Sequence, residues 1–387
     1  MSIADKGTSK ESWIASWYAS PEPIWGEEFL FPTKLPAKLK NQTIRQVARI
    51  SVGGRRVRVV LSNEFGSVPL VIGDAHVALT GVGSKIVHGS DRKLEFSGKS
   101  TIVVPIGAAI MSDPVELYVD SLQSISVSIF LPEETVPTTF HWDARQTAFI
   151  ANGNHVSDTD FNTNATTDVS MYLKSILVDA PMNAGTVVAI GDSITDGAQA
   201  TVDANTRWPN ILADRLVQRN VSILNAGISG GRLLRNVKGI NALARFDRDV
   251  LNQPNVKSVV VIIGTNDIGM PGMAFAPAET LPTVDELIAG YRQLIARAHV
   301  RNVRIIGGTL PPFELYYTEA KEKMRQQVND WIRSGEFDGV FDLDALSRDP
   351  YRPTRFLSAF DSGDHIHPGD LGNKMIADAI DLDLILN

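Results

Sequence analysis

The sequence predicts an α/β fold, a doubly wound parallel sheet, preceded by an all-β sandwich or jelly-roll domain. Three observations predict it. From about residue 43 to residue 178 the apolar pattern has a period close to two, broken at short intervals by turn residues. After residue 180, strand-like runs alternate with helical patterns, as successive βα units do. The length, 387 residues, is long for one domain and comfortable for two. The boundary is therefore placed near residue 180, dividing the chain into 1–180 and 181–387.

Residues 1–40 carry few periodic signals. Trp13, Trp17 and Trp25 stand there among Pro21, Pro23, Pro32 and Pro36. The stretch reads as an extended arm packed on a larger body, with the tryptophans as amphipathic anchors. A sugar-stacking surface is the alternative. Strand candidates follow at 57–61, 68–72, 75–79, 101–105, 115–119 and 125–130, separated by Gly, Pro and Asn turns. Pro69 suggests an edge position for its strand. No amphipathic helix is read among them. His76, His88, His141 and His155 lack metal-ligand spacing and read as structural or exposed.

In the second half the strand candidates are 186–190, 221–225, 258–263, 303–307 and 339–343. A helix with a hydrophobic stripe begins near Thr206. Leu287, Ile288, Tyr291, Leu294, Ile295 and Ala298 share one helical face, and Thr283 with Glu286 forms a capping box before it. Leu371, Met375, Ile376, Ala379 and Ile380 mark a final helix. Five strands alternating with helices argue a doubly wound parallel sheet with right-handed crossovers.

Composition narrows the function. With 43% hydrophobic and 21% charged residues the chain is ordinary globular material. A net charge of -7 without a basic block argues against nucleic acid as a partner. The absence of cysteine excludes thiol catalysis, disulfides and thiolate metal sites. No run approaches the roughly 18 apolar residues of a membrane span. The opening residues, from Met1 to Ser12, lack the apolar core of a signal peptide. A soluble protein is expected, secreted or periplasmic if a leader once preceded this start and cytoplasmic otherwise.

Four clusters follow strands of the second half or open its last helix: Gly191-Asp192-Ser193, the segment from Asn225 to Gly231, Gly264-Thr265-Asn266-Asp267, and Asp364-His365-Ile366-His367-Pro368. In an open parallel sheet such loops meet outside the carboxyl ends of the strands. Together they hold the parts of acyl transfer. A serine needs an adjacent base to become a nucleophile. His367 can be that base, and Asp364, three residues earlier, can hold its tautomer. The Ser193 and Gly230 amides and the Asn266 side chain are candidate donors to an oxyanion. Plainer readings stand beside these. Ser193 can be a loop serine, the glycine loop an ordinary one, and Asn266-Asp267 helix caps. His365 competes with His367, and the two histidines with Asp361, Asp364 and Asp370 could hold a metal. The glycines after Asn225 do not match the dinucleotide fingerprint, so no such cofactor is expected.

These four clusters, in this order, resemble the SGNH (GDSL-type) hydrolase superfamily, named for a Ser, a Gly, an Asn and a His in separate blocks. The resemblance covers about residues 185–387. It implies a flavodoxin-like doubly wound sheet, Ser193 as nucleophile, Asp364 and His367 as the rest of a triad, and an oxyanion hole of Ser193, Gly230 and Asn266. It favours His367 over His365 and needs no cofactor or metal. The first half is similar to a bacterial subgroup with a leading β-domain, through Trp13-x-x-Ser16-Trp17, the stretch from Val57 to Gly66, and the stretch from Arg245 to Val250. That subgroup implies esterase, lipase or acylhydrolase activity, the reaction type more than the substrate. A small-molecule ester or an acylated glycan is expected as substrate, short acyl or aryl esters first, because no long apolar stretch advertises a lipid site. Many members are exported, and the start of this chain departs from that. Deacetylation of a polysaccharide is an alternative. So, outside enzymes, is a carbohydrate-binding protein with a degenerate hydrolase half. Asp192 is expected to support the turn rather than serve as the triad acid.

Overall fold

In the computed structural model, which describes residues 12–386, the two-residue alternation of the first half builds two large antiparallel sheets, with two smaller ones beside them. Residues 1–11, which hold most of the stretch read for a signal peptide, lie outside the described residues. One sheet runs Trp13–Tyr18, Leu173–Asp179, Gly54–Ser62, Val115–Val119, with Ala109–Met111 also on Gly54–Ser62. The other runs Ala165–Thr167, Ala148–Asn152, Gln42–Arg49, Ser124–Leu131, Asp74–Leu79, Arg92–Lys93. Val57, Val59 and Leu61 from the first meet Ile44, Val77, Ile125 and Val127 from the second in one buried core. Burying each such side chain contributes about 1.5–3 kcal/mol. Leu70–Ile72, the strand after Pro69, is short and, among the described residues, pairs only with Ile102–Val104.

One expectation is corrected here. The stretch read as an arm contains a full strand, Trp13–Tyr18, in antiparallel register with Leu173–Asp179. Its residues are buried on both sides: Ile14 in the sandwich core, Ala15 and Tyr18 in the core of the second half. Alternation is lost when both faces are covered, and a bulge between Ala15 and Trp17 disturbs it further.

The second half is a five-stranded parallel sheet in the order Val221–Gly227, Gly185–Gly191, Val256–Ile262, Arg304–Gly308, Gly339–Phe341. In chain order this is 2-1-3-4-5, the flavodoxin-like arrangement, whose switch point lies beside the first strand. Val188 and Ile190 face a core that includes Leu287, Leu294 and Val328. Val187 and Ala189 face another built with Trp208, Leu212 and Ile376. Helices thus cover both faces: Val284–Val300 and Glu319–Arg333 on one, Trp208–Leu216 and Asp370–Ala379 on the other. The helix read as final is followed by a further short one, Leu382–Leu386, whose Ile385 carbonyl accepts from Ser258 at 2.6 Å. No helix among the described residues is long and apolar enough to cross a membrane.

Candidate active site

The first parallel strand ends at Gly191, where a Cβ would collide with the Thr195 hydroxyl and the Ile262 carbonyl. Only glycine lets the chain turn there. Ser193 opens a one-turn helix, Ser193–Asp196, closed by Gly197 at φ 102°. Asp192 is its N-cap and accepts from the Ile194 amide at 3.0 Å. Burial pushes the Asp192 carboxyl up to about 7 against that hydrogen bond. Asp192 thus supports the turn, while its second carboxylate oxygen is buried with no partner among the described residues.

His367 reaches this serine from the far end of the chain. Its Nε2 lies 2.8 Å from the Ser193 hydroxyl, and its Nδ1 lies 2.7 Å from Asp364 Oδ2. The other Asp364 oxygen accepts from the amides of Ile366 and His367 at 3.1 and 2.9 Å. Burial alone would raise the Asp364 carboxyl, but the hydrogen bonds and charge of His367 hold it well below the usual carboxylate range. His365 is exposed and pairs with Asp361 at 2.6 Å instead. Asp370, the remaining acid beside these histidines, accepts from Thr201 and Thr206.

The glycine loop lies against the serine turn. A Cβ on Gly227 would strike the Asp196 backbone, so the second strand ends in contact with the short helix. Asn225 Nδ2 donates to the Thr195 carbonyl at 2.8 Å. Gly230 takes φ +76°, a conformation that favours glycine. Neither the Ser193 nor the Gly230 amide finds an acceptor among the described residues. Beyond the third strand, Gly264 at φ 127° starts the short helix Thr265–Gly269. Gly264 itself is the N-cap position, so Asn266 and Asp267 are not caps. Asn266 Nδ2 donates to the Gly231 carbonyl at 3.1 Å, leaving a second amide hydrogen. Asp267 accepts from the amides of Leu233 and Leu234 at 2.7 and 2.9 Å and so ties the two loops together. Burial still lifts the Asp267 carboxyl to about 6.

The four clusters singled out from the second half therefore lie at the carboxyl edge of the parallel sheet, around its switch point. Other residues of the site carried no such signal. Arg245, fully buried, donates to the carbonyls of Gly191 at 3.1 Å and Ala226 at 2.6 Å, and to Asp249 at 2.8 Å. It pins the ends of the first two strands to each other. Its only trace in the sequence is the stretch from Arg245 to Val250. Asp196, His141 and Asp143 also meet behind the glycine loop, the last two from the β-domain. Trp25, Phe29, Phe31, Phe140 and Trp142 form an aromatic cluster with Phe275 of the second half. The ammonium of Lys238 lies 3.6 Å from the Trp142 ring centre, and its stem runs beside Gly230.

Residues 187–380 match the sequence profile of the GDSL-like lipase/acylhydrolase family. No curated protein sequence matches the chain. Among solved structures, a lipolytic protein of the G-D-S-L family from Desulfitobacterium hafniense is similar at 20% identity. That match covers 50% of this chain and 96% of that one, with a TM-score of 0.39. A GDSL-like lipase from Bacteroides thetaiotaomicron is similar at 19% identity, covering 51% of this chain and 87% of its own, with a TM-score of 0.39. An aryl esterase of M. smegmatis is similar at 18% identity, covering 51% and 96%, with a TM-score of 0.40.

Proposed function

The chain belongs to the GDSL-like lipase/acylhydrolase family, and from that premise we propose that it cleaves carboxylic esters through an acyl-enzyme intermediate on Ser193. The observation that carries this reading is the unbroken line of hydrogen bonds from Asp364 to His367 at 2.7 Å and from His367 to Ser193 at 2.8 Å. The Ser193 oxygen attacks the acyl carbonyl while His367 Nε2 takes its proton. Asp364 holds the imidazole in the tautomer with the free nitrogen toward serine and steadies the imidazolium that forms. Negative charge builds on the former carbonyl oxygen. The Ser193 and Gly230 amides and the second hydrogen of Asn266 Nδ2 are donors fixed in advance for it. His367 returns the proton to the leaving alcohol. A water, deprotonated by the same histidine, then releases the acid and restores the serine.

The substrate we propose is a short-chain acyl or aryl ester. The aromatic cluster around Lys238, whose stem runs beside Gly230, supports it, since flat rings suit a small apolar group. The same cluster favours a second reading, deacetylation of a glycan, because Trp25, Phe31 and Trp142 keep part of their surface open to solvent. The primary test is Ser193→Ala. It is expected to lose hydrolysis of 4-nitrophenyl acetate by several orders of magnitude, as removal of a triad nucleophile does. Undiminished turnover in that variant would sink the proposal.

A further inference from the structure

Ser229 precedes the oxyanion glycine, and the amide hydrogen of Gly230 belongs to the peptide that joins the two. Ser229, which carries that peptide, is held at its own amide and at its hydroxyl. The Ser229 amide donates to Asp196 Oδ2 at 2.7 Å, and the Ser229 hydroxyl donates to Asp143 Oδ2 at 2.8 Å. Asp196 belongs to the short helix that Ser193 opens. Its other oxygen accepts from His141 Nε2 at 2.9 Å. His141 ends a β-domain strand, Thr139–His141, and Asp143 lies just beyond it.

The charge state of His141 follows from its partners. Its Nδ1 faces the Ser20 carbonyl at 3.0 Å and its Nε2 faces the Asp196 carboxylate. Both partners only accept, so both ring nitrogens must carry hydrogen, and the ring is an imidazolium. Glu22, 3.4 Å from Nδ1, adds a second acid on that side. His141, Asp196 and Asp143 are all buried. Charges taken out of water at this density are costly unless their geometry is satisfied throughout. Burial opposes the charged ring, yet Asp196 and Glu22 raise His141 to about 9.

We propose that His141 and Asp143 are positioning residues of the active site: the β-domain uses them to hold Ser229 and so to aim the Gly230 amide at the oxyanion. This rests on the ester-hydrolase reading above, and it gives the leading domain a part in turnover. A donor displaced by a fraction of an ångström no longer meets the charge that develops in the transition state, while ground-state binding is little changed.

The experiment uses the full chain with His141→Leu and Asp143→Ala. Competent sites are counted with a fluorophosphonate label, and turnover of 4-nitrophenyl acetate is expressed per labelled site. Each variant is expected to lose about 10- to 100-fold in kcat per site with KM within about twofold of the parent, approaching the cost of losing one oxyanion donor. His141→Gln, which keeps an N–H toward Asp196, is expected to recover part of the loss. A merely structural role would lower the number of labelled sites or the melting temperature and leave turnover per site alone. Turnover per site within about twofold of the parent in His141→Leu overturns the inference. If that variant yields no folded protein, Asp143→Ala decides by the same criterion. Ser193→Ala separates the two ideas. If it stays active, the ester-hydrolase reading falls. If it is dead while the β-domain variants turn over normally, only the positioning role falls.

Discussion

Asn266 shows how much of this site depends on single donors. Its side chain is buried and spends one hydrogen on the Gly231 carbonyl, and the other is the donor proposed for the oxyanion. Asn266→Ala is expected to lower kcat roughly 100- to 1,000-fold, the cost of one oxyanion donor. A kcat within about twofold of the parent removes Asn266 from that role. Asp192 poses a different question, one of charge. Its carboxyl rises from 3.8 to about 7 through burial, opposed by the Ile194 amide and by His367. The folded form therefore holds a proton that the unfolded chain gives up between these two values. An acid raised in the folded state makes stability fall as pH rises through that window. Asp192→Asn stays neutral and lacks this slope. Denaturant melts across that pH range are expected to show the parent losing stability relative to the variant as pH rises; parallel curves would refute the assignment.

At the scale of elements, the helix Val284–Val300 is the clearest case of local instruction. Thr283 Oγ1 accepts from the Glu286 amide at 3.1 Å, and Glu286 accepts from the Thr283 amide at 2.7 Å. Thr283→Ala is expected to cost about 1 kcal/mol of stability, read by denaturant unfolding, with esterase activity unchanged. Legibility tracked the solvation of each face. This helix has one apolar stripe and was read from it. Glu319–Arg333 was not read, because its buried side includes Lys321, Arg325 and Asn329 beside Val328 and Ile332. Arg325 is neutralised by Asp344 at 2.6 Å and Glu322 at 2.7 Å, so a polar residue does the work of a core one. The strand Trp13–Tyr18 shows no alternation for the converse reason, being covered on both faces.

For the whole molecule, the two halves are joined through a common core. Ala15, Tyr18 and Leu177 of the sandwich lie in the same cluster as Val188, Leu224 and Val259 of the parallel sheet. Tyr18 donates to Asp249 at 2.7 Å, and Asp249 holds Arg245 beneath the catalytic strands. The aromatic cluster bridges the halves as well, through Phe31 on Phe275 with ring centres 5.2 Å apart. A substrate bound there would touch both. In a series of 4-nitrophenyl esters from acetyl to decanoyl, kcat/KM is expected to peak at acetyl or butyryl. A peak at long chains would refute the short-acyl reading, and a strong preference for an acetylated glycan in a parallel panel would favour deacetylation.

What the sequence by itself determined is the local chemistry. Strand ends were marked by glycines, helix starts by caps, and each reactive residue type by its own short block, because these depend on backbone conformation within a few residues. It also placed Asp364 three residues before His367, a contact that one turn of chain can make. The tertiary structure alone decided what faces Ser229, which carbonyls Arg245 holds, and that His141 is charged. Those contacts join residues as far apart as Ser20, His141 and Asp196, which no spacing connects. Their energies arise from burial in a shared interior, where an unpaired charge is costly and a paired one is held in place.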